Sequence, residues 1–185
     1  MNYCPRCGAS VSFLIPAGDN LPRHVCPACA YIQYQNPRLV VGCVVEHEGR
    51  ILLCQRAIEP RKGFWTLPAG FMENGESTAA AAIRETLEEA GARIVIDAPF
   101  ALVSVTPINQ VHLFYRGRLA APDYAAGEES LAVALFAPAD IPWSEISFRS
   151  VGLCLERYLA DRQQGHYAFH EAELAALVEP VKRPG

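Results

Sequence analysis

Apolar residues along the chain fall into short runs and into longer segments with a helical period. The short runs are typical of strands and comprise residues 40–45, 51–54, 100–105, 111–119 and 131–136. Two segments, 78–90 and 148–164, have apolar residues three and four positions apart, and each is followed by a glycine that suits a helix end. Strands that alternate with two helices predict an α+β fold, with a mixed sheet covered on both sides.

The segment 78–90 carries its apolar and acidic residues on different sides of the predicted helix. Ser77 is a suitable N-cap, and Gly70 and Gly75 bracket the loop before it. At about 100° per residue, the apolar stripe comprises Ala80, Ile83, Leu87 and Ala90, and the opposite side comprises Glu85, Glu88 and Glu89. We therefore expect the apolar stripe to pack on the sheet and the opposite side to gather negative charge.

The three carboxylates on this helix can bind a divalent cation. At these spacings they repel one another, by on the order of a few tenths of a kcal/mol per pair on an exposed helix. A bound cation removes that repulsion, and Mg²⁺ and Mn²⁺ prefer oxygen ligands. The alternative interpretation is a solvated acidic helix face on which Arg84 is a local ion-pair partner.

Length and composition suit one catalytic-sized domain and a small second unit. The chain has 185 residues, of which 51% are hydrophobic. We expect a small unit in residues 1–35, the larger domain in 36–165, and a tail in 166–185 that packs on the domain or across a dimer. No apolar run approaches bilayer length, which argues against a membrane span.

Two Cys-x-x-Cys pairs near the start, Cys4 with Cys7 and Cys26 with Cys29, have zinc-ribbon spacing. Four thiolates can bind Zn²⁺ tetrahedrally, and so short a segment cannot fold without a metal or another cross-link. The alternatives are disulfides or a redox-active pair. The chain opens without a recognisable leader, which favours a reducing compartment, the cytoplasm, and no βαβ pattern surrounds either pair. We therefore expect structural zinc.

The charge of the chain bears on a second class of function, because zinc ribbons often bind nucleic acid. The formal net charge is −4, whereas nucleic-acid modules usually present a concentrated basic surface. The basic residues of the ribbon region are Arg6, Arg23 and Arg38. We expect the ribbon to be structural or to form a dimer, with RNA contact as the alternative.

The glycines and charged residues between positions 70 and 91 resemble the Nudix box. The matching positions are Gly70, Glu76, Arg84, Glu85, Glu88, Glu89 and Gly91. Thr86 and Ala92 depart from the family, which prefers bulky aliphatic residues there, but both are packing positions. The similarity covers most of the chain after about Asn36 and implies an αβα Nudix sandwich preceded by a small β zinc ribbon.

The resemblance implies an enzyme that hydrolyses a diphosphate joined to another group, with Mg²⁺ or Mn²⁺ bound. Carried over by position, the implied metal ligands are Glu85, Glu88, Glu89 and a backbone carbonyl near Ala69 or Gly70. In the family pattern Arg84 orients these acids, and Glu76 supports the loop or a further ion. Family members are often dimers, so we expect a homodimer.

A general base must lie within hydrogen-bond reach of the attacking water. Glu89 is one candidate. The other lies in the loop before the strand at 131–136, where Glu129 is our first choice and Glu128 the second. The alternative is that both loop residues are ordinary solvated turn residues.

The substrate is expected to be a nucleotide derivative. The ribbon and the segment 55–73 look most like the short zinc-ribbon Nudix group that acts on FAD and ADP-ribose, and the segment typical of NADH pyrophosphatases is absent after the box. FAD or ADP-ribose is the leading pair, followed by NADH and then by a nucleoside triphosphate. The candidate substrate contacts are Arg56, Arg61, Trp65, Phe71 and Tyr115, although each aromatic taken singly is more often a core residue.

Overall fold

The computed structural model describes residues 1–175 and divides into two compact units, Met1–Pro37 and a second unit that begins at Arg38. The first unit is a three-stranded antiparallel sheet. Its strands are β1 (Ser12–Leu14), β2 (Arg23–Val25) and β3 (Ile32–Gln33).

The second unit contains every strand and both helices predicted from residue 40 onward. Its strands are β4 (Arg38–His47), β5 (Arg50–Arg56), β6 (Trp65–Thr66), β7 (Ala69–Phe71), β8 (Ile94–Val105), β9 (Gln110–Leu119), β10 (Ser130–Phe136) and β11 (His170–Glu173). Its helices are α1 (Thr78–Ala90) and α2 (Arg149–Gln164), with 3-10 turns at Thr106–Ile108, Pro138–Asp140 and Trp143–Glu145. The predicted helix 78–90 is confirmed at both ends, with Ser77 as N-cap and left-handed Gly91 as C-cap.

The large sheet is mixed, as predicted. Its strand order is β10-β5-β4-β9-β8-β11, and β6 and β7 pair with β5 and β4. The pairs β4–β9 and β8–β11 are parallel, and the remaining pairs are antiparallel. The expected tail therefore contributes an edge strand at His170–Glu173, whereas residues 176–185 lie outside the described part of the chain.

Helices cover both faces of the sheet. Along β4, Val41, Cys43 and Val45 pack in the cluster that includes α1, whereas Val44 packs in the cluster that includes α2. This alternation follows from the two-residue period of a strand with apolar layers on both sides. The αβα sandwich is confirmed.

Helix α1 buries a different face from the one that its apolar stripe predicts. Ile83 and Leu87 are 40% and 48% exposed, and Ala80 is also exposed. The buried residues are Ala81, Ala82, Glu85, Thr86, Glu89 and Ala90. The predicted orientation is wrong because the small alanines allow close packing on the sheet, while the two buried acids find polar partners described below. Buried Thr86 donates its hydroxyl to the Ala82 carbonyl at 2.7 Å.

Phe100 on β8 connects the core beneath α2 to the last strand. It is fully buried, and its ring centroid lies 5.9 Å from Tyr158 and 5.1 Å from His170. We expect Phe100→Ala to lower the free energy of unfolding by about 3–5 kcal/mol, because it removes a large ring from a packed core. Both tryptophans, Trp65 and Trp143, belong to the second unit, so tryptophan fluorescence during urea unfolding reports on that unit alone.

Leu131→Ala is the matched control for Phe100→Ala. Leu131 lies on β10 and is 54% exposed, so we expect a change of less than about 0.5 kcal/mol. A loss at Phe100 no larger than the loss at Leu131 would contradict the assignment of Phe100 to the core.

Candidate active site

The backbone of β7 passes directly beneath a carboxylate of α1. A Cβ atom added to Gly70 would lie 2.2–2.5 Å from the carboxyl atoms of Glu85. Any side chain at position 70 would therefore displace the acid. The neighbouring Ala69 N–H donates to Glu89 Oε2 at 3.0 Å, so the same short strand meets two of the acids.

Arg84 binds three carboxylates together. It donates to both carboxylate oxygens of Glu76 at 3.1 and 2.8 Å, to Glu85 at 2.8 Å and to Glu88 at 2.9 Å. It also donates to the Phe71 carbonyl at 3.1 Å, which ties α1 to β7. The hydrogen bond from Arg84 holds the pKa of Glu76 below its ordinary value. This network corresponds to the orienting role that the resemblance implies for Arg84.

Glu85 and Glu89 are buried carboxylates on adjacent turns of α1. The pKa of Glu89 is raised to about 7, chiefly by burial and also by the nearby charges of Glu85 and Glu129, while the Ala69 hydrogen bond opposes the rise. Burial also raises the pKa of Glu85, although the Arg84 hydrogen bond opposes the rise. Negative charge is thus confined where water solvates it poorly.

A second glycine, Gly127, allows the loop that carries Glu128 and Glu129 to lie against the end of α1. A Cβ atom added to Gly127 would lie 1.7 Å from the Glu88 carbonyl oxygen, and the Gly127 N–H donates to the Glu89 carbonyl at 3.1 Å. The chain after Gly127 therefore runs directly against the end of α1. The next two residues are Glu128 and Glu129, and the Glu129 carbonyl accepts from the Ala57 N–H at 2.8 Å.

These elements surround one cavity of about 820 Å³. Of the predicted site residues, it is lined by Arg56, Gly70, Phe71, Arg84, Glu85, Glu88, Glu89, Glu128 and Glu129. One end is acidic. The remainder is largely apolar, with Val40, Ile108, Phe114, Phe148 and Val151 among its lining residues.

Three of the predicted substrate contacts lie elsewhere. Tyr115 is buried in the core beside α1, with its hydroxyl 2.6 Å from the Thr78 hydroxyl. The Trp65 ring packs edge-on against Phe136 at 4.8 Å. The Arg61 guanidinium lies over the Phe64 ring at 5.3 Å. Alternation along β9 accounts for Tyr115, because it faces α1 whereas Phe114 faces the cavity.

Sequence reasoning missed a polar group at the apolar end. Gln110 and His112 line the cavity from β9, and His112 Nδ1 lies 2.9 Å from Ser150 Oγ on α2. The available signal was the two-residue period at 110, 112 and 114, which directs these side chains to one face of the strand. Phe148 was also missed; its ring lies 5.1 Å from the Arg56 guanidinium.

The acidic end suits a hard divalent cation. Its donors are carboxylates, and the backbone of β7 lines the same cavity, which together make the oxygen-rich set that Mg²⁺ and Mn²⁺ prefer. In the structure Glu85 and Glu88 turn to Arg84, and Glu89 turns to the Ala69 N–H. The chemistry of the donors therefore fits the cation that the sequence suggests.

The four ribbon cysteines form a compact cluster of thiols. Sγ of Cys4 lies 3.7 Å from Sγ of Cys29, and Sγ of Cys7 lies 3.5 Å from Sγ of Cys26. Sulfurs about 2.3 Å from a tetrahedral zinc are about 3.8 Å apart, so the cluster has the right size. All four ligand atoms lie within 4.8 Å of one another. The predicted ribbon is confirmed.

Within residues 1–175, no helix is both long enough and hydrophobic enough to span a membrane.

Comparison with known families agrees with the fold and the site. Residues 36–147 match the NUDIX domain model, and residues 2–35 match the model described as Nudix N-terminal, a zinc ribbon. The chain therefore belongs to the Nudix hydrolase family and carries the ribbon that precedes the domain in part of that family.

A NUDIX hydrolase from Nitrosomonas europaea, known from a crystal structure, is 48% identical over 94% of this chain and 99% of its own, with a TM-score of 0.92. An ADP-ribose pyrophosphatase from Methanocaldococcus jannaschii is 41% identical over 61 residues, which are 33% of this chain and 36% of that protein. The NAD-capped RNA hydrolase NudC from Chromobacterium violaceum is 36% identical over 89 residues, 48% of this chain and 32% of that protein. The chain thus matches about a third of the length of these two curated relatives.

The thiol cluster predicts a measurable metal content. We expect elemental analysis of purified protein to find about one zinc per chain, because four thiolates at this spacing complete a tetrahedral site. Cys26→Ser should lose most of that zinc under reducing conditions. Cys54→Ala is the control, because Cys54 is buried in the large domain and should leave the zinc content unchanged. Zinc retained in Cys26→Ser, or absent from the unmodified protein, would contradict the assignment.

Proposed function

We propose that this protein is a metal-dependent pyrophosphatase that hydrolyses the diphosphate bond of a dinucleotide or nucleoside diphosphate derivative. FAD and ADP-ribose are the leading candidate substrates. The observation that carries the proposal is the meeting of Glu85, Glu88 and Glu89 with Gly70 at one end of a cavity large enough for a nucleotide. The Nudix family membership supports the same reaction class.

In this proposal the three acids of α1 hold the divalent cations, Mg²⁺ or Mn²⁺. When bound, the cations neutralise the diphosphate and acidify the attacking water. Arg84 keeps Glu85 and Glu88 oriented towards the cavity through its hydrogen bonds. The absence of a side chain at Gly70 leaves the backbone close enough to share in binding.

Arg56 is the cation that we assign to the substrate phosphates. Of the described residues that line the cavity, Arg56 and Arg84 carry a positive charge, and Arg84 is already bound to three carboxylates. Arg56 donates its Nε–H to the Pro60 carbonyl at 2.9 Å, which orients its guanidinium above Phe148. A fixed guanidinium beside an acidic metal site suits a diphosphate, because it can donate paired hydrogen bonds to phosphate oxygens.

We propose Glu129 as the general base. Its charge acts on both Glu85 and Glu89, so its carboxylate lies towards the acid cluster. Glu129 is exposed, so its carboxylate is accessible to a water molecule that enters the cavity. Glu128 is the second candidate, and Glu89 the third, because its carboxylate is already bound to the Ala69 N–H.

The relatives support a nucleotide substrate of this kind. The ADP-ribose pyrophosphatase from Methanocaldococcus jannaschii, which matches a third of this chain, favours ADP-ribose. The likeness to NudC, named for NAD-capped RNA, favours NADH as the second candidate. A nucleoside triphosphate comes third, and a nucleic-acid-binding module without hydrolase activity is the alternative class.

We further propose a homodimer in the cytoplasm, where reduced thiols support the zinc site.

The first test is turnover with and without Glu89. With Mg²⁺ or Mn²⁺, we expect FAD to yield FMN and AMP, and ADP-ribose to yield ribose phosphate and AMP, in a panel that includes NADH and a nucleoside triphosphate and is resolved by chromatography. Glu89→Gln should lower kcat by about 100-fold or more, because it removes charge from the acid cluster.

The control for Glu89→Gln is Glu156→Gln, an exposed glutamate on α2 that does not line the cavity. It should leave kcat within about 2-fold. No turnover of any panel member, combined with salt-sensitive RNA affinity that Glu89→Gln does not change, would favour the binding-module class instead.

The second test compares the two downstream acids. We expect Glu129→Gln to lower kcat by about 100-fold or more and Glu128→Gln by less than about 10-fold, because the charge of Glu129 reaches the acid cluster. Each variant removes one negative charge, and the two positions are adjacent, so each variant is a control for the other. A larger effect at Glu128 reverses the assignment, and full activity in both leaves Glu89 as the base.

A further inference from the structure

The apolar end of the cavity contains a polar chain that the hydrolysis of a diphosphate does not use. His112 Nδ1 lies 2.9 Å from Ser150 Oγ, and His112 Nε2 lies 2.9 Å from Gln110 Oε1. His112 and Ser150 are buried, whereas Gln110 is half-buried and lines the cavity with His112. Polar groups so enclosed are retained where their hydrogen bonds are satisfied.

The hydrogen bonds between Gln110, His112 and Ser150 determine which end of the Gln110 amide faces the cavity. Burial lowers the pKa of His112 to about 4, so the ring is neutral near pH 7 and carries one N–H. The amide oxygen of Gln110 faces Nε2, so we infer the tautomer in which Nε2 donates to this oxygen and Nδ1 accepts from the Ser150 hydroxyl. The amide oxygen is thereby occupied, and the two N–H donors of Gln110 remain for a ligand.

The backbone of Gln110 is held on both sides. It is the first residue of β9 and pairs with Arg38 on β4 and with Val105 on β8. The preceding Asn109 is left-handed, and its carbonyl accepts from the Arg38 N–H at 2.9 Å. A side chain positioned by two strands and one buried histidine loses little entropy when it binds a ligand.

We propose that Gln110 is the specificity-determining residue that recognises the ring of the substrate, by donating its amide N–H groups to a carbonyl oxygen or ring nitrogen. His112 and Ser150 are positioning residues that keep the amide in this orientation. The ligand class is a planar heteroaromatic ring with an acceptor edge, either the flavin or the adenine of the substrate.

The surroundings fit such a ring. Ile108, Phe114, Phe148 and Val151 supply apolar surface in the same cavity, and Phe148 lies beneath the Arg56 guanidinium. A flat ring can pack on this surface while its acceptor edge meets the one neutral amide that lines the cavity from β9. This inference rests on the proposed function for its substrate, but not for its binding test.

The first experiment measures binding without turnover. Riboflavin and adenosine are neutral ring probes, so they separate ring recognition from phosphate and metal binding. We expect the zinc-containing protein, without added Mg²⁺ or Mn²⁺, to bind at least one of them in an NMR titration, and Gln110→Glu to lower the affinity for that ligand by about 10-fold or more. The variant keeps the acceptor for His112 but removes both N–H donors. Gln163→Glu, an exposed position near the end of α2, introduces the same charge as a control.

The second experiment uses steady-state kinetics. Gln110→Leu should raise KM by about 10-fold or more with kcat within about 3-fold, and Ser150→Ala should raise the same KM by a smaller factor. If the Gln110 variants have a higher KM for FAD only and a lower affinity for riboflavin only, the recognised ring is the flavin. If they have a higher KM for both FAD and ADP-ribose and a lower affinity for adenosine, the recognised ring is the adenine. Unchanged KM values and unchanged ring binding overturn the proposal.

The third experiment reads the tautomer itself. The ¹⁵N spectrum of His112, assigned by its absence in His112→Gln, should show Nε2 protonated and Nδ1 unprotonated at pH 7. Protonated Nδ1 would turn the amide oxygen of Gln110 to the cavity and overturn the proposal. If no panel substrate turns over, the proposed function fails, yet the ring titration and the ¹⁵N spectrum still decide the role of Gln110.

Discussion

The structure depends on keeping two carboxylates, Glu85 and Glu89, buried against the backbone of β7. An ionised carboxylate removed from water costs several kcal/mol unless hydrogen bonds or opposite charges compensate. Here the Ala69 N–H compensates Glu89, and Arg84 compensates Glu85. The remaining negative charge at this site is what suits it to a divalent cation.

That constraint explains features that look unrelated in the sequence. Glycine is required at position 70 because a carboxylate occupies the space of its side chain, and at position 127 because the loop touches the end of α1. The small alanines of α1 let the helix pack closely on the sheet. Its buried acids, Glu85 and Glu89, can therefore contact the backbone of β7. The two exposed aliphatic residues, Ile83 and Leu87, lie on the face that this orientation leaves outside.

The sequence predicted the elements well and their orientation less well. Helix α1 begins and ends where Ser77 and Gly91 indicate, because caps are local signals. Its buried face was predicted wrongly, since hydrophobic periodicity assumes that apolar residues pack, whereas here packing competes with a charged site. Trp65 and Tyr115 show a similar limit: their residue type suits a ligand, but strand alternation turns Tyr115 to the core. Gln110 was missed because the two-residue period of β9 places it on one face with His112 and Phe114 but does not show that this face lines the cavity.

The two ends of the cavity do different physical tasks, and neither can perform the other. A diphosphate looks the same to the acidic end whatever it joins, so Glu85, Glu88 and Glu89 can select for charge and metal but not for a nucleotide. Selection has to come from donors whose direction is fixed, because a mobile side chain adapts to any ring and discriminates poorly. At the apolar end, β9 and α2 supply that rigidity through a buried neutral histidine. The proposed function therefore assigns the chemistry to α1 and β7, and the proposed role of Gln110 assigns discrimination between substrates to β9 and α2.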